Sequence, residues 1–180
     1  MNTTPAYAAP KKNSPVKPFS IQRRSVGPKD VRIEIDYCGV CHTDLHFVNN
    51  DWGISEYPVV PGHEIVGKIS EVGSQVTKFT EGDLGAIGCM VYSCGNCSSC
   101  ENGYEQYCLQ GFTATYNSPT EDPGGVTFGG YSKAIVADES FILQIPESLA
   151  IEGTAPLLCA GITTYSPMKH WQVGSGMKVG

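Results

Sequence analysis

Residues 93–108, SCGNCSSCENGYEQYC, place four cysteines, Cys94, Cys97, Cys100 and Cys108, in a Cys-x2-Cys-x2-Cys-x7-Cys pattern. Two-residue gaps let one tight loop aim successive sulfurs at a single point. Four thiolates then complete a tetrahedral zinc shell with no open position, which holds a loop in shape but cannot activate water. An iron–sulfur cluster is the competing reading of the same spacing. Against it, the fourth cysteine comes from the same loop and no Cys-Pro follows.

Other donors are scattered. CGVCHTDLH (Cys38–His46), PGHE (Pro61–Glu64) and LLCAG (Leu157–Gly161) each offer a thiol or an imidazole. Alone, each has a plain alternative: a redox pair for Cys38 and Cys41, a turn histidine for His63, an inert core thiol for Cys159. Clustered cysteines in a chain without a signal-peptide core favour metal ligation over disulfides, and the chain is expected to be cytoplasmic. No run approaches the roughly 18 apolar residues of a membrane helix.

The elements that must position these donors are short strands. VRIEIDY (Val31–Tyr37) alternates as a half-buried strand does, and Ile65–Val72, Leu84–Val91, Tyr131–Ala137 and Phe141–Ile145 are further strand candidates. They follow one another with Gly/Pro punctuation and no intervening helix, so the fold is predicted to be mainly β, a compact antiparallel barrel over 1–150 with a metal lobe at about 92–110. Ala155–Ala160 reads as the first turns of a buried helix within a helical segment, 151–180. Charge is uneven: residues 1–32 hold seven Lys/Arg and one acid, net +6, and the rest five against seventeen, net −12. The basic segment lacks aromatic interleaving, so it is read as a solvated face or strand partner, with no nucleic-acid partner.

The stretches CGVCHTDLH, YPVVPGHEIVGKI, the 94–108 cluster, GGYSKAIV and APLLCAGITTYSPM together resemble the zinc-dependent medium-chain alcohol dehydrogenases, in their cinnamyl-alcohol-dehydrogenase-like aldehyde reductase branch. The resemblance runs from about Phe19 onward and implies a GroES-like barrel with two zinc ions. It assigns a catalytic zinc to Cys41, His63 and Cys159, leaving a fourth position for substrate oxygen, and a structural zinc to Cys94, Cys97, Cys100 and Cys108. It makes Glu64 an acid beside the metal and Asp44 the acceptor from the ligand histidine. Thr43 is implied to hydrogen-bond the substrate oxygen and His46 to pass its proton to solvent. Trp52 corresponds to a substrate-pocket aromatic, Thr163 to a residue packing on nicotinamide, and His42 to a position near the cofactor pyrophosphate. Cys38 and Cys89 are expected to be small buried hydrophobes, and His170 a packing or surface residue. Where the family pattern has a β-branched residue, this chain has Gly85, which should cost strand propensity and packing.

The implied reaction is reversible alcohol oxidation or aldehyde reduction, on small alcohols or aldehydes including aromatic ones, with NADP(H) favoured over NAD(H). In this family a Rossmann domain follows the third-ligand helix. GSGMKVG (Gly174–Gly180) spaces its glycines G-x-G-x3-G after a polar segment, so it fails as a dinucleotide fingerprint, and Met177–Gly180 instead resembles the first residues of the Rossmann strand itself. The Rossmann domain is therefore expected to be absent from these 180 residues, the chain to be inactive alone, and the parent to be a homodimer. The alternative is a stand-alone zinc-binding GroES-like module without catalysis.

Overall fold

The computed structural model describes residues 2–180. Its centre is a five-stranded antiparallel sheet in the order β8-β3-β4-β5-β9, with β3 Asp30–Cys38, β4 Ile65–Val72, β5 Leu84–Ile87, β8 Ala134–Asp138 and β9 Leu143–Gln144. Two antiparallel pairs flank it: β1 (Asn2–Ala8) with β2 (Lys17–Arg23), and β6 (Met90–Tyr92) with β7 (Thr113–Ala114). Contrary to the expected run of strands without helices, α1 (His42–Asn49) lies between β3 and β4 and α2 (Ser98–Glu101) between β6 and β7, while α3 (Ile151–Thr154) and α4 (Ala160–His170) follow β9. The main core is β-branched, with Val31, Ile33, Ile65, Ile69, Ile87, Ile135 and Ile142 buried together around Phe79. Such side chains fill a pleated face with few rotamers to lose.

The alternation of Val31–Tyr37 breaks at a bulge. Ile35 pairs with Gly67 but Tyr37 pairs with Val66, so Asp36 is an extra residue on β3. The slip reverses the inward phase, leaving Tyr37 exposed and turning Cys38 against the core. Cys38 is thus half-buried against the core rather than fully buried as expected, and burial pushes its thiol up to about 12.

Other boundaries differ from expectation. Leu84–Val91 is two strands in two sheets, because the chain turns out at Gly88–Cys89, where the Gly88 carbonyl accepts Thr115 Oγ1 and the Cys89 carbonyl accepts the Thr115 N–H. Cys89 is consequently exposed rather than buried. Regular pairing in the Tyr131–Ala137 segment begins only at Ala134, since Tyr131 N–H is taken by the Pro61 carbonyl. Glu139–Phe141 forms a 3₁₀ turn, leaving two residues of strand. Ala155–Leu158 is likewise a 3₁₀ turn, and α4 buries no residue. Its Ile162, Tyr165 and Met168 are exposed.

The basic N-terminal segment forms the β1–β2 hairpin, and Arg23 is buried rather than solvated. Its guanidinium donates to the carbonyls of Ala134, Phe128 and Gly129 and to Ser132 Oγ at 2.7–3.0 Å, tying the hairpin to the segment before β8. Loss of water lowers its pKa to about 9. Beyond it, Arg24 forks onto Asp30, which also accepts the Gly27 N–H at 2.8 Å.

Gly85 proves to be a packing choice. A Cβ there would stand 3.1 Å from both Ile142 Cγ2 and Ile33 Cδ1 and 3.5 Å from Ile69 Cδ1. The volume expected to be missing is already filled by three isoleucines, so no packing defect results. Gly85→Val should therefore overpack the core and destabilise the fold by about 1–3 kcal/mol. Denaturant unfolding checks this, and a more stable variant would contradict it.

Candidate metal centres and active site

The loop after β3 and the loop before β4 converge because the β3–β4 ladder brings Cys38 opposite Ile65. One step further on, the Gly39 N–H donates to the Glu64 carbonyl at 2.9 Å. Cys41 caps α1, and Asp44 in its first turn reaches back to accept the Cys41 N–H at 2.9 Å. The other Asp44 oxygen accepts the Gly62 N–H at 2.9 Å. Gly62 sits at φ +102°, a left-handed conformation that suits glycine and turns His63 inward. Asp44 is only 2% exposed, so this one carboxylate ties the start of α1 to the loop that carries His63 and Glu64.

Cys159, at the start of α4, completes the group. Donor atoms of Cys41, His63, Glu64 and Cys159 lie within 4.8 Å of one another, and the two sulfurs are 3.8 Å apart. Two thiolates on a tetrahedral zinc at 2.3 Å would be separated by about 3.8 Å. His63 is 5% exposed, and its Nε2 is buried without a hydrogen-bond partner. A buried imidazole nitrogen left unpaired is costly unless something else takes its lone pair. These donors fit a metal ion with three protein ligands and an adjacent carboxylate.

Electrostatics agree with that fit. Burial lowers the His63 pKa against the opposing charge of Asp44, so its lone pair stays available. Burial, reinforced by Asp44, raises the Glu64 pKa. The Cys159 pKa is raised by burial and then by its neighbours Cys89 and Cys41.

The second cluster is Cys94, Cys97, Cys100 and Cys108. Cys97 and Cys100 lie at either end of the single-turn α2, 3.5 Å apart at sulfur, and Cys94 is 3.9 Å from Cys100. Four sulfurs leave no place for water, so this cluster fits a closed structural ion. Among the described residues every cysteine is a free thiol.

Thr43 and His46 follow Cys41 on α1. Thr43 Oγ1 is 3.5 Å from Cys41 Sγ. His46 Nδ1 is 2.8 Å from Asp51 Oδ2, and Trp52 lies against the same imidazole, ring centroids 4.8 Å apart. The His42 ring is 4.7 Å from His46, at the exposed side of the helix. Thr163 is exposed on α4. His170 is exposed beside Trp171.

One expected contact is not made. Asp44 accepts from Cys41, Gly62 and, at 3.4 Å, Tyr131, but not from His63. Its oxygens are directed at the backbone N–H groups, so it positions His63 through the peptide of Gly62. Tyr116 supports the imidazole instead, stacked at 5.6 Å and 20°. Tyr116 and Asp51 were not singled out from sequence. Asp51 has a local signal, an Asn50-Asp51 pair where α1 ends with Asn50 at φ 52°. Tyr116 has none, since only folding brings it to His63.

Residues 27–147 match the alcohol dehydrogenase GroES-like domain. The chain belongs to that family. This GroES-like domain is 53% identical over 180 residues to an NADP-dependent alcohol dehydrogenase C of Mycolicibacterium smegmatis, covering 99% of the chain and 51% of that relative. It is 56% identical to aldehyde reductase YahK of Escherichia coli, covering 97% of the chain and 49% of the relative. Among solved structures, a cinnamyl alcohol dehydrogenase of Sorghum bicolor superimposes with TM-score 0.91 at 44% identity, covering 96% of the chain and 49% of that protein. The enzyme from Helicobacter pylori, solved with NADP(H), gives 0.90 at 42%, covering 98% and 51%. The GroES-like chain thus spans about half the length of the relatives it matches. Among its described residues no helix is long and apolar enough to cross a membrane.

Thiol reactivity distinguishes the sulfurs of the closed cluster. N–H groups of Cys100 and Leu109 stabilise the Cys97 thiolate and bring its pKa to about 6. Asn96 N–H favours the Cys94 thiolate, but desolvation and the neighbouring thiols Cys108 and Cys97 prevail, taking it up to about 11. In chelator-treated protein at pH 7, Cys97 should be alkylated well before Cys94, and added zinc should protect both. Mass spectrometry of iodoacetamide-treated protein reads this directly; Cys94 labelling first would contradict it.

Proposed function

We propose that this chain is the metal-bearing catalytic part of a zinc-dependent oxidoreductase that interconverts alcohols and aldehydes with a nicotinamide cofactor. The observation that carries the reading is the convergence of Cys41, His63 and Cys159, with the unpaired His63 Nε2 beside two sulfurs 3.8 Å apart. Cys41, His63 and Cys159 would hold zinc, and the 94–108 cysteines a second ion. When bound at an open three-ligand position, zinc supplies Lewis acidity toward a substrate oxygen.

The chain's own groups do the rest. Thr43 Oγ1, beside Cys41, hydrogen-bonds the substrate oxygen and receives its proton during oxidation. Residues 43 and 46 lie one helical turn apart on the same face, and no direct bond joins their side chains. A water must bridge that gap. His46 takes the proton at Nε2 and releases it to solvent, oriented by the Asp51 carboxylate on Nδ1. Burial of Asp44 and His63 keeps competing water from the ligand sphere.

The names of the relatives support NADP(H) as cofactor. The ring of Trp52, 51% exposed beside His46 and Phe47, supports aromatic alcohols or aldehydes as substrates. His42 and Thr163, both at the solvent side, are proposed to meet the cofactor. A GroES-like domain over 1–150 continued by a helical segment at 151–180, a homodimeric parent and a cytoplasmic location complete the proposal.

Cys41→Ser should remove one of two zinc equivalents, leave the 94–108 ion in place, and abolish NADPH-dependent aldehyde reduction in a protein extended to the relatives' full length. Zinc analysis alongside the assay reads both, and loss of both ions or full retained activity would refute the assignment. In the same assay His46→Gln should lower kcat roughly 100-fold, the scale of a lost general acid–base group. An unchanged kcat would remove His46 from the proton path.

A further inference from the structure

Gly39 is not required by backbone conformation, since its φ lies outside the left-handed region where glycine is favoured. It is required by space. A Cβ at residue 39 would overlap Glu64 Oε2 and stand 3.0 Å from both Cβ and Cδ of the same side chain. The Glu64 side chain thus lies along the backbone of Gly39, its carboxylate seated where a methyl group would be. The backbone bond from Gly39 N–H to the Glu64 carbonyl fixes the two residues opposite each other, one step beyond the Cys38–Ile65 pair. Glu64 is 3% exposed, so its carboxylate cannot swing into solvent. On its other side stand Cys41, His63 and Cys159, all within 4.8 Å.

We propose that Gly39 is a positioning residue that provides a seat for the Glu64 carboxylate beside the three-ligand cluster, and so sets how strongly that carboxylate competes for the open ligand position. The proposal rests on the metal-site reading above. With the seat filled by a methyl group, a buried carboxylate has only the cluster side left to occupy, and an incoming oxygen or nitrogen ligand must displace it. The atom that overlaps, Oε2, is the end of a flexible side chain, and Glu64 Cβ at 3.0 Å has to give only by a few tenths of an ångström, so Gly39→Ala is expected to fold.

The test loads the chain with Co2+ and titrates it with imidazole, a probe for the open position. The four-cysteine cluster offers no open position, so imidazole-dependent spectral changes report the Cys41 cluster, while the unchanged tetrathiolate absorption reports folding. Gly39→Ala should weaken imidazole binding roughly tenfold. In a Glu64→Ala background the same substitution should have no effect, because the carboxylate through which it acts is gone. Unchanged or tighter binding in Gly39→Ala, or an equal loss with and without Glu64, would overturn the positioning role while leaving the metal site standing. Uptake of Co2+ by the four-cysteine cluster alone would overturn the metal-site reading, and the positioning role with it.

Discussion

The buried carboxylate of Asp44 is the constraint on which the site depends. It accepts one N–H from Cys41 and one from Gly62, and Tyr131 approaches it from a third direction. Those bonds join the first turn of α1 to the loop before β4. A carboxylate at 2% exposure is tolerated only when its lone pairs are satisfied, and here backbone donors satisfy them. Every donor on the α1 side and every donor on the loop side is placed relative to this ion. Its charge also reaches the neighbouring groups, opposing the lowering of the His63 pKa and adding to the raising of the Glu64 pKa.

The sheet holds the two loops at the right distance. β3 and β4 run antiparallel to the point where Cys38 faces Ile65, and the bulge at Asp36 adjusts the phase so that Cys38 enters the core. Cys38 Sγ then fills the space between Gly62 and Gly130, at both of which a Cβ would come within 2.7 Å of it. A thiol outside both donor clusters is therefore part of what shapes the loop that carries His63. Helix α4 delivers Cys159 from outside the sheet and leaves its own apolar residues exposed.

Two donor clusters of different design sit on one frame. The 94–108 loop has little to bury, and its order follows from four convergent thiols on a short helix and its flanks. The other cluster is assembled from three distant segments and includes one carboxylate that shares space with the ligands. Closed and open donor sets of this kind separate holding a loop in shape from presenting an ion to a substrate.

The sequence by itself determined the antiparallel β character, since alternation and turn residues act over a few positions, and the four-cysteine cluster, since its ligands lie on one loop. It also determined the donor types at Cys41, His63 and Cys159, through motifs that survive without the fold. What only the tertiary structure decided were interactions between segments far apart in the chain. The bulge that exposes Tyr37, the turn at Gly88 that exposes Cys89, the isoleucines that occupy the space at Gly85, and the stacking of Tyr116 on His63 all depend on which neighbour arrives. So does the work of Asp44, whose carboxylate takes the Gly62 N–H and whose charge reaches His63. A local pattern states which atoms are available; distances of 3 Å between segments are set only when the core has closed around them.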